Sequence, residues 1–303
     1  MRKLAYRNLM IASEARIRIE RNYLLIVTDT EHRVPIEDIN SVLLENQRSV
    51  ISLYTLARLA EDDVTVYVCD EKHLPCAILL PFAQNSRHLG VLKAQESMSL
   101  PTKKQLWKQI VQAKIQNQAI CLELTGHETE AANLRAMVGK VTSGDIHNVE
   151  ATAAGAYFKG LFGKEFYRRD DADVRNAALN YGYAILRGQI ARLIAGYGFL
   201  PMKGIHHKSE QNAYNLVDDF IEPFRPVADL FVAQKLGDFS ALTPRLKREL
   251  YNLLNMDIRI TEQNHAVSYA AEILVQSFSR CCRDKVKELL LPTLLPLQLH
   301  RYE

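Results

Sequence analysis

The spacing of hydrophobic residues changes partway along the chain. Over residues 1–82, apolar residues alternate with polar ones or form short β-branched runs, as in ARIRIERNYLLIVT and VTVYVCD. Such alternation places successive side chains on opposite faces of an extended strand. One segment, SLYTLARLAEDD, instead places its leucines at helical spacing. The pattern predicts a small β domain that contains one helix.

From residue 102 onward, long amphipathic segments replace this pattern. In KKQLWKQIVQAKIQNQAICLEL, the residues Leu106, Ile110 and Ile115 recur about one helical turn apart. Further segments of this kind follow, among them NVEATAAGAYFKGLFG and AVSYAAEILVQSFSRCCRDKVKELL. The second part of the chain is therefore predicted to be helical.

A polar stretch separates the two parts. It contains Gln84, Asn85, Ser86 and Gly90, residue types that favour loops. A chain of 303 residues is also long enough for two domains. We therefore predict a β domain over 1–82, a linker over 83–101 and an α-helical domain over 102–303.

Composition narrows the class of protein only slightly. Hydrophobic residues make up 48% of the chain and charged residues 24%, which are ordinary values for a globular protein. The formal net charge is +3. Such a small excess neither requires nor excludes a nucleic-acid partner, so local basic patches must decide.

The cysteines and the apolar segments indicate in which cellular compartment the protein is expected. The five cysteines are odd in number, none lies in a CxxC motif, and the adjacent Cys281 and Cys282 are a poor disulfide pair. This usage predicts a reduced, cytoplasmic protein. The N-terminus lacks the apolar core of a secretory signal, and no run approaches the roughly 18 apolar residues of a membrane span. We therefore expect no membrane partner.

The stretch GIHHKSEQNAYNLVDDFIEPFR places acids among apolar residues. On a helix, Glu222 shares a face with Asp218 and Asp219. Adjacent carboxylates repel unless a cation joins them, and oxygen ligands with one imidazole suit Mg²⁺ or Mn²⁺. Either His206 or His207 could supply that imidazole. The alternative is a solvated helix face on which Glu222 simply pairs with the nearby arginine.

A further acid, Glu150, lies in GDIHNVEATAAGAYFKGLF. The small alanines beside it allow a second helix or a ligand to approach closely. Glu150 is therefore either a buried functional acid or an ordinary glutamate in the first turn of a helix, where the helix dipole favours it. The residue and its neighbours leave both interpretations open.

Basic residues mixed with aromatic ones lie near both acidic segments. This mixture suits a phosphate backbone and unstacked bases, although a solvated face over core aromatics has the same composition. The candidate DNA-contacting residues are Lys159, Arg168, Arg169, Arg175, Lys203, Lys208 and Arg225.

The order of these motifs resembles the CRISPR-associated spacer integrase family, the metal-dependent endonuclease/integrase subunit of the CRISPR adaptation complex. The resemblance lies in a glutamate on an alanine-rich helix, then RRDDADVRNAALNYGYAIL, then GxxH, then DxxEPFRPxxD. It covers nearly the whole chain. The individual motifs are weak, but their order is specific.

The resemblance implies an α+β fold with an N-terminal β-sandwich domain followed by an all-α C-terminal catalytic domain. It also implies a homodimer that joins a small CRISPR-associated partner subunit and holds double-stranded DNA. The implied reaction is attack by the 3′-hydroxyl of a captured DNA fragment on a phosphodiester of the CRISPR repeat. This transesterification is expected to use Mg²⁺ or Mn²⁺.

Residue by residue, the resemblance assigns the metal ligands. Glu150 matches the first acid, His207 the histidine of GxxH, and Glu222 the last acid, where many relatives carry aspartate. Asp219 matches the first acid of DxxE and is expected to be an additional ligand or to lie behind the ligands. The alternative ligands are His206 and Asp218.

Two other functions share most of these residues. A stand-alone metal-dependent nuclease would use the same ligands to cut DNA or RNA without joining strands. A non-catalytic DNA-binding scaffold would use its acids as helix caps and salt bridges. A third, an enzyme acting on a phosphorylated metabolite, lacks a glycine-rich phosphate loop such as GxxxxGK[ST].

Overall fold

The computed structural model describes residues 6–79, 88–237, 240–284 and 286–301. The chain divides into two compact units, residues 1–86 and 87–303. Among the described helices, none has both the length and the apolar character needed to cross a membrane.

The first unit consists mainly of short strands. In chain order its elements are β1 (Arg7–Ile11), β2 (Arg16–Glu20), β3 (Tyr23–Val27), β4 (Glu31–Pro35), β5 (Ile39–Leu44), β6 (Val50–Ile51), α1 (Leu53–Glu61), β7 (Thr65–Cys69) and β8 (Pro75–Leu79). The strands and the single helix expected from the sequence in this region are confirmed.

These strands form two four-stranded sheets. The first has the order β1-β5-β7-β8, with β5 parallel to both of its neighbours. The second has the order β4-β3-β2-β6 and is antiparallel except for the β2–β6 pair. Both sheets bury apolar residues in one core, including Ile17, Leu24 and Val42, and Leu59 of α1 joins them there.

The second unit is mainly helical. Its elements are α2 (His88–Glu96), α3 (Leu100–Leu124), α4 (Glu128–Val138), α5 (Val149–Phe162), α6 (Val174–Gly196), α7 (Asn215–Ile221), α8 (Arg225–Lys235), α9 (Pro244–Tyr251), β9 (Met256–Ile260), β10 (Gln263–Ala266), α10 (Val267–Asp284) and β11 (Thr293–Leu299). The long helix α3 packs against α4, α5 and α8, so it lies at the centre of the unit.

The expectation of an all-α second domain is wrong. Strands β10, β9 and β11 form a three-stranded antiparallel sheet, with a turn through Thr261 and Glu262, both at positive φ, between β9 and β10. The leucine-rich tail supplies β11. Its Pro296 is tolerated because β11 is an edge strand, where a missing N–H need not break a sheet hydrogen bond.

The expected linker over 83–101 also needs correction. Helix α2 occupies much of it, and α3 begins at Leu100. The buried Gln95 side chain donates to the carbonyls of Leu200 and Lys203 at 3.1 and 3.0 Å and accepts from the Leu200 N–H at 3.0 Å. These long-range contacts fix α2 in place, and local composition does not reveal them. Residues 82–87, which include the predicted domain boundary, lie outside the described residues.

Candidate active site

Glu150 lies in the first turn of α5. The Asp145 carboxylate accepts hydrogen bonds from the backbone N–H groups of Val149 at 3.0 Å and Glu150 at 2.9 Å. This anion satisfies N–H groups that have no partner within the helix. Asp145 therefore fixes the start of α5, and the Glu150 side chain, 22% exposed, points toward α3.

Glu222 lies where α7 passes into a 3₁₀ turn, Glu222–Phe224. Pro223 follows it, and α8 begins at Arg225. The Glu222 side chain is only 6% exposed, and its Oε1 accepts a hydrogen bond from Arg225 Nε at 2.9 Å. The predicted alternative pairing of Glu222 with its nearby arginine thus exists, but Arg225 is not the only cation there.

Lys114 of α3 joins the two glutamates. Its Nζ lies 2.6 Å from Glu150 Oε1 and 2.5 Å from Glu222 Oε2, and its side chain is 10% exposed. Sequence reasoning missed this residue. Its position could have revealed it, because Lys114 falls four residues after Ile110 on the apolar stripe of an otherwise regular amphipathic helix.

The charges in this cluster hold one another in the ionised form. Burial alone would raise the pKa of Glu222, but the charges of Arg225 and Lys114 outweigh it and lower the pKa to about 2. Burial would lower the pKa of Lys114, but Glu222 and Glu150 raise it. Both partners are therefore charged at neutral pH.

The loop over residues 204–207, the histidine loop, wraps around the fully buried carboxylate of Asp219. Its Oδ2 accepts from the N–H groups of Ile205 at 2.5 Å and His206 at 3.1 Å. Its Oδ1 accepts from the His207 N–H at 3.1 Å and lies 2.7 Å from His207 Nδ1. Asp219 was expected either to bind the metal or to support its ligands. This geometry favours the second role, in which Asp219 orients the His207 ring.

The glycine of the GxxH motif makes this wrapping possible. A Cβ atom at Gly204 would lie 2.4 Å from the His207 carbonyl oxygen and 2.8 Å from Asp219 Oδ2. Both distances are shorter than van der Waals contact allows. Any other residue at this position would push the histidine loop away from the carboxylate.

The two histidines have different surroundings. The His206 ring stacks on Trp107, with centroids 4.2 Å apart and planes within 4°, and burial lowers its pKa. The hydrogen bond to Asp219 raises the pKa of His207, and the charges of Glu222 and Glu150 act in the same direction. Of the two imidazole rings, that of His207 is the one with a hydrogen bond to Asp219.

Asp218 faces a different group of partners. It accepts from Arg187 Nε at 2.6 Å and from Asn212 Nδ2 at 2.6 Å. The Arg187 guanidinium also lies 4.7 Å from the centre of the Tyr214 ring. The structure thus places this alternative ligand in an ion pair with Arg187.

The candidate DNA-contacting residues fall into two groups. Four of them have intramolecular partners: Arg168 with Asn180, Arg175 with Asp173, Lys203 with Glu96, and Arg225 with Glu222. The other three, Lys159, Arg169 and Lys208, are exposed.

Two surface depressions meet at Glu222. One, of about 340 Å³, is lined by residues that include His207, Asp218 and Arg225. The other, of about 280 Å³, is lined by residues that include Lys114, Phe158 and Asp229. A phosphate group entering either depression could approach the acidic cluster.

The donor set suits a divalent cation, although among the described residues no three His, Cys, Asp or Glu side chains already form a metal-binding group. Glu150 and Glu222 both contact the Lys114 ammonium. The buried Glu222 Oε2 lies close enough to this ammonium for an ion pair but accepts no hydrogen bond. Because Asp219 engages Nδ1 of His207, the Nε2 atom remains for a metal. Two carboxylates with one imidazole fit Mg²⁺ or Mn²⁺.

Fold and site together define an α+β protein in which a mainly helical unit brings two glutamates onto one buried lysine and places a carboxylate-bound histidine in the same depression as one of them. The family model described as CRISPR associated protein Cas1 matches residues 9–238. The chain belongs to this family, and the resemblance found in its motifs is confirmed.

Known proteins agree with this assignment. The CRISPR-associated endonuclease Cas1 of Neisseria meningitidis serogroup C (strain 8013) is 44% identical over 99% of this chain and 100% of its own length. A casposase bound to integration product has a TM-score of 0.76 and 19% identity, covering 93% of this chain and 92% of that one. A Cas6-RT-Cas1--Cas2 complex has a TM-score of 0.70 and 18% identity, covering 93% of this chain and 35% of that one.

Proposed function

We propose that the protein is a metal-dependent DNA endonuclease/integrase that inserts captured DNA fragments into a CRISPR array. The observation that carries this proposal is the convergence of Glu150 and Glu222 on one cation position, in a chain of the Cas1 family. Its full-length relative from Neisseria bears the name endonuclease.

Glu150, Glu222 and His207 are the residues that would hold Mg²⁺ or Mn²⁺. When bound, the ion would supply Lewis-acid stabilisation of charge on the reacting phosphate. Asp219 keeps the His207 ring in one orientation and favours the tautomer with its lone pair on Nε2. Arg225 keeps Glu222 ionised, which a ligand to a divalent cation requires.

The proposed reaction exchanges one phosphodiester bond for another. The 3′-hydroxyl of the captured fragment attacks a phosphorus atom of the repeat, and the repeat's own 3′ oxygen leaves. The exposed Lys159, Arg169 and Lys208 are the best placed of the candidate residues to bind phosphates, because the others already have partners within the chain.

The proposed assembly is a homodimer that binds double-stranded DNA and a small partner subunit. The structural relative named as a Cas6-RT-Cas1--Cas2 complex contains Cas2 beside Cas1, which supports a partner of that kind. We place this activity in the cytoplasm, in keeping with the five free cysteines.

An integration assay tests the proposal. The full chain and its small partner subunit are mixed with a short DNA duplex and a supercoiled plasmid that carries the repeat, in Mn²⁺, Mg²⁺ or EDTA. We expect metal-dependent covalent joining that Glu222→Ala reduces by at least about 10²-fold, since a metal ligand is lost. Glu165→Ala, at an exposed glutamate, is the matched control.

The same assay separates the competing functions. Metal-dependent nicking without joining would identify a stand-alone nuclease. DNA binding with no strand cleavage or joining, unchanged in Glu222→Ala, would identify a scaffold whose acids are structural.

A further inference from the structure

Lys114 is the unexpected member of the acidic cluster. A lysine ammonium is rarely buried unless it is paired, and this one is 10% exposed and contacts carboxylates from two different segments. It thus lies between the two acids that a metal would join. No motif of the sequence includes it.

The charges around Glu150 and Glu222 disfavour binding of the Lys114 ammonium and a metal ion at the same time. With Lys114 and Arg225 in place, the two carboxylates Glu150 and Glu222 are already neutralised. A divalent cation added beside the ammonium would bring more positive charge than the Asp219 carboxylate behind His207 can offset, and the two cations would repel at short range in a poorly solvated site. Departure of the ammonium as the metal binds would relieve this repulsion.

The surroundings allow Lys114 to move. Its four-carbon stem is flexible, and the depression of about 280 Å³ that it lines gives the ammonium somewhere to go. Arg225 is less free, because its guanidinium donates to Glu222 and lies 4.5 Å from the centre of the Tyr183 ring.

We propose that Lys114 is a built-in cation that occupies the metal position in the metal-free protein, holds Glu150 and Glu222 together, and leaves that position when a divalent ion binds. This inference rests on the proposed metal-dependent function. Lys114 is then a positioning residue. It keeps the ligands arranged before the metal arrives, and it lowers the affinity of the site by competing with the metal.

Mn²⁺ binding to the full-length protein without DNA tests this role. Free Mn²⁺ is followed by electron paramagnetic resonance for wild type, Lys114→Met and the matched variant Lys108→Met, six residues away on the same helix. We expect Lys114→Met to bind Mn²⁺ about tenfold more tightly, because no ammonium has to be displaced, and Lys108→Met to match wild type. Equal or weaker binding by Lys114→Met would overturn the inference.

Glu222→Gln distinguishes failure of the inference from failure of the proposed function. If Glu222→Gln abolishes Mn²⁺ binding but Lys114→Met does not strengthen it, the metal site stands and the competing role of Lys114 is wrong. If wild type binds no Mn²⁺, or if Glu222→Gln leaves binding unchanged, the proposed metal site itself is wrong.

A measurement on wild type covers the case in which Lys114→Met does not fold. The rate at which an amine-acylating reagent labels Lys114 is compared with and without Mn²⁺ by mass spectrometry, with Lys108 as internal reference. Displacement by the metal predicts faster labelling of Lys114 alone. An unchanged rate at saturating Mn²⁺ would show that the ammonium stays in place and would refute the exchange.

Discussion

Asp219 holds the histidine loop with both of its carboxylate oxygens. The loop can approach this carboxylate so closely because residue 204 is a glycine. The sequence supplied the GxxH and DxxE motifs, so the residue types of the site were predictable. The role of each residue was not predictable, because it depends on which groups Asp219 contacts twelve to fourteen residues away in the chain. The position of Lys114 on the apolar stripe of α3 was visible in the sequence, but its partners were not, since they lie 36 and 108 residues away.

Gly204→Ala should disable the loop without changing any ligand. The added Cβ would lie 2.4 Å from the His207 carbonyl oxygen, so the loop must move away from Asp219. We expect the free energy of unfolding to fall by about 1–3 kcal/mol, as for other overpacked sites, and Mn²⁺ binding to weaken. Denaturant unfolding and Mn²⁺ titration measure both effects. Gly90→Ala, at an open position, is the control, and wild-type behaviour of Gly204→Ala would contradict the role given to this glycine.

Asp229 is a further buried acid, next to the site. Its carboxylate accepts hydrogen bonds from Tyr157 at 2.9 Å and Tyr183 at 2.5 Å. Burial raises its pKa to about 6, although the two tyrosines and the nearby arginines oppose the shift. The charged or titratable groups around it are Tyr157, Tyr183, Arg225, Arg168 and Cys121.

This shift predicts a pH dependence of stability. The folded-state pKa lies above the unfolded value of about 3.9, so the folded protein binds this proton more tightly. The resulting stabilisation is fully present below pH ~4 and is lost as the pH rises through about 6. Asp229→Asn should therefore remove about 2 kcal/mol of the change in unfolding free energy across this window, an order-of-magnitude figure.

Denaturant unfolding of wild type, Asp229→Asn and the exposed control Asp171→Asn between pH 4 and 7 tests this expectation. The slope of stability against pH is the quantity to compare, because the substitution itself changes absolute stability. If Asp229→Asn has the wild-type slope, Asp229 does not carry a raised pKa.

At the scale of elements, the local hydrophobic pattern predicted some helices and strands, whereas tertiary contacts decided others. Alternation and helical spacing predicted the strands of the first unit and the long helices of the second. They did not predict β11, because a leucine-rich tail with Pro292 and Pro296 lacks alternation, and pairing with β9 decides its conformation. They also missed α2, whose anchor Gln95 contacts residues more than 100 positions away.

The crossing of α6 and α8 gives a test at this scale. A Cβ at Gly182 would lie 3.0 Å from the Ala228 Cβ and 3.2 Å from Leu253 Cδ1, so the two helices approach closely at this glycine. Gly182→Val should lower the unfolding free energy by about 1–3 kcal/mol or more through overpacking. Thermal or denaturant unfolding measures the loss. Gly155→Val, where a Cβ would meet nothing within 4 Å, should cost far less, and equal losses would contradict the close approach.

At the scale of the whole molecule, the sequence by itself determined the two-part organisation, through its hydrophobic periodicity, and the family and the candidate acids and histidine, through the order of its motifs. Motif order is a one-dimensional property, so it needs no knowledge of contacts. Tertiary structure alone decided that Glu150 and Glu222 meet at Lys114, that Asp219 serves the histidine loop, and that the tail completes a sheet. Each of these depends on groups brought together from distant parts of the chain, and local periodicity carries no information about such pairings.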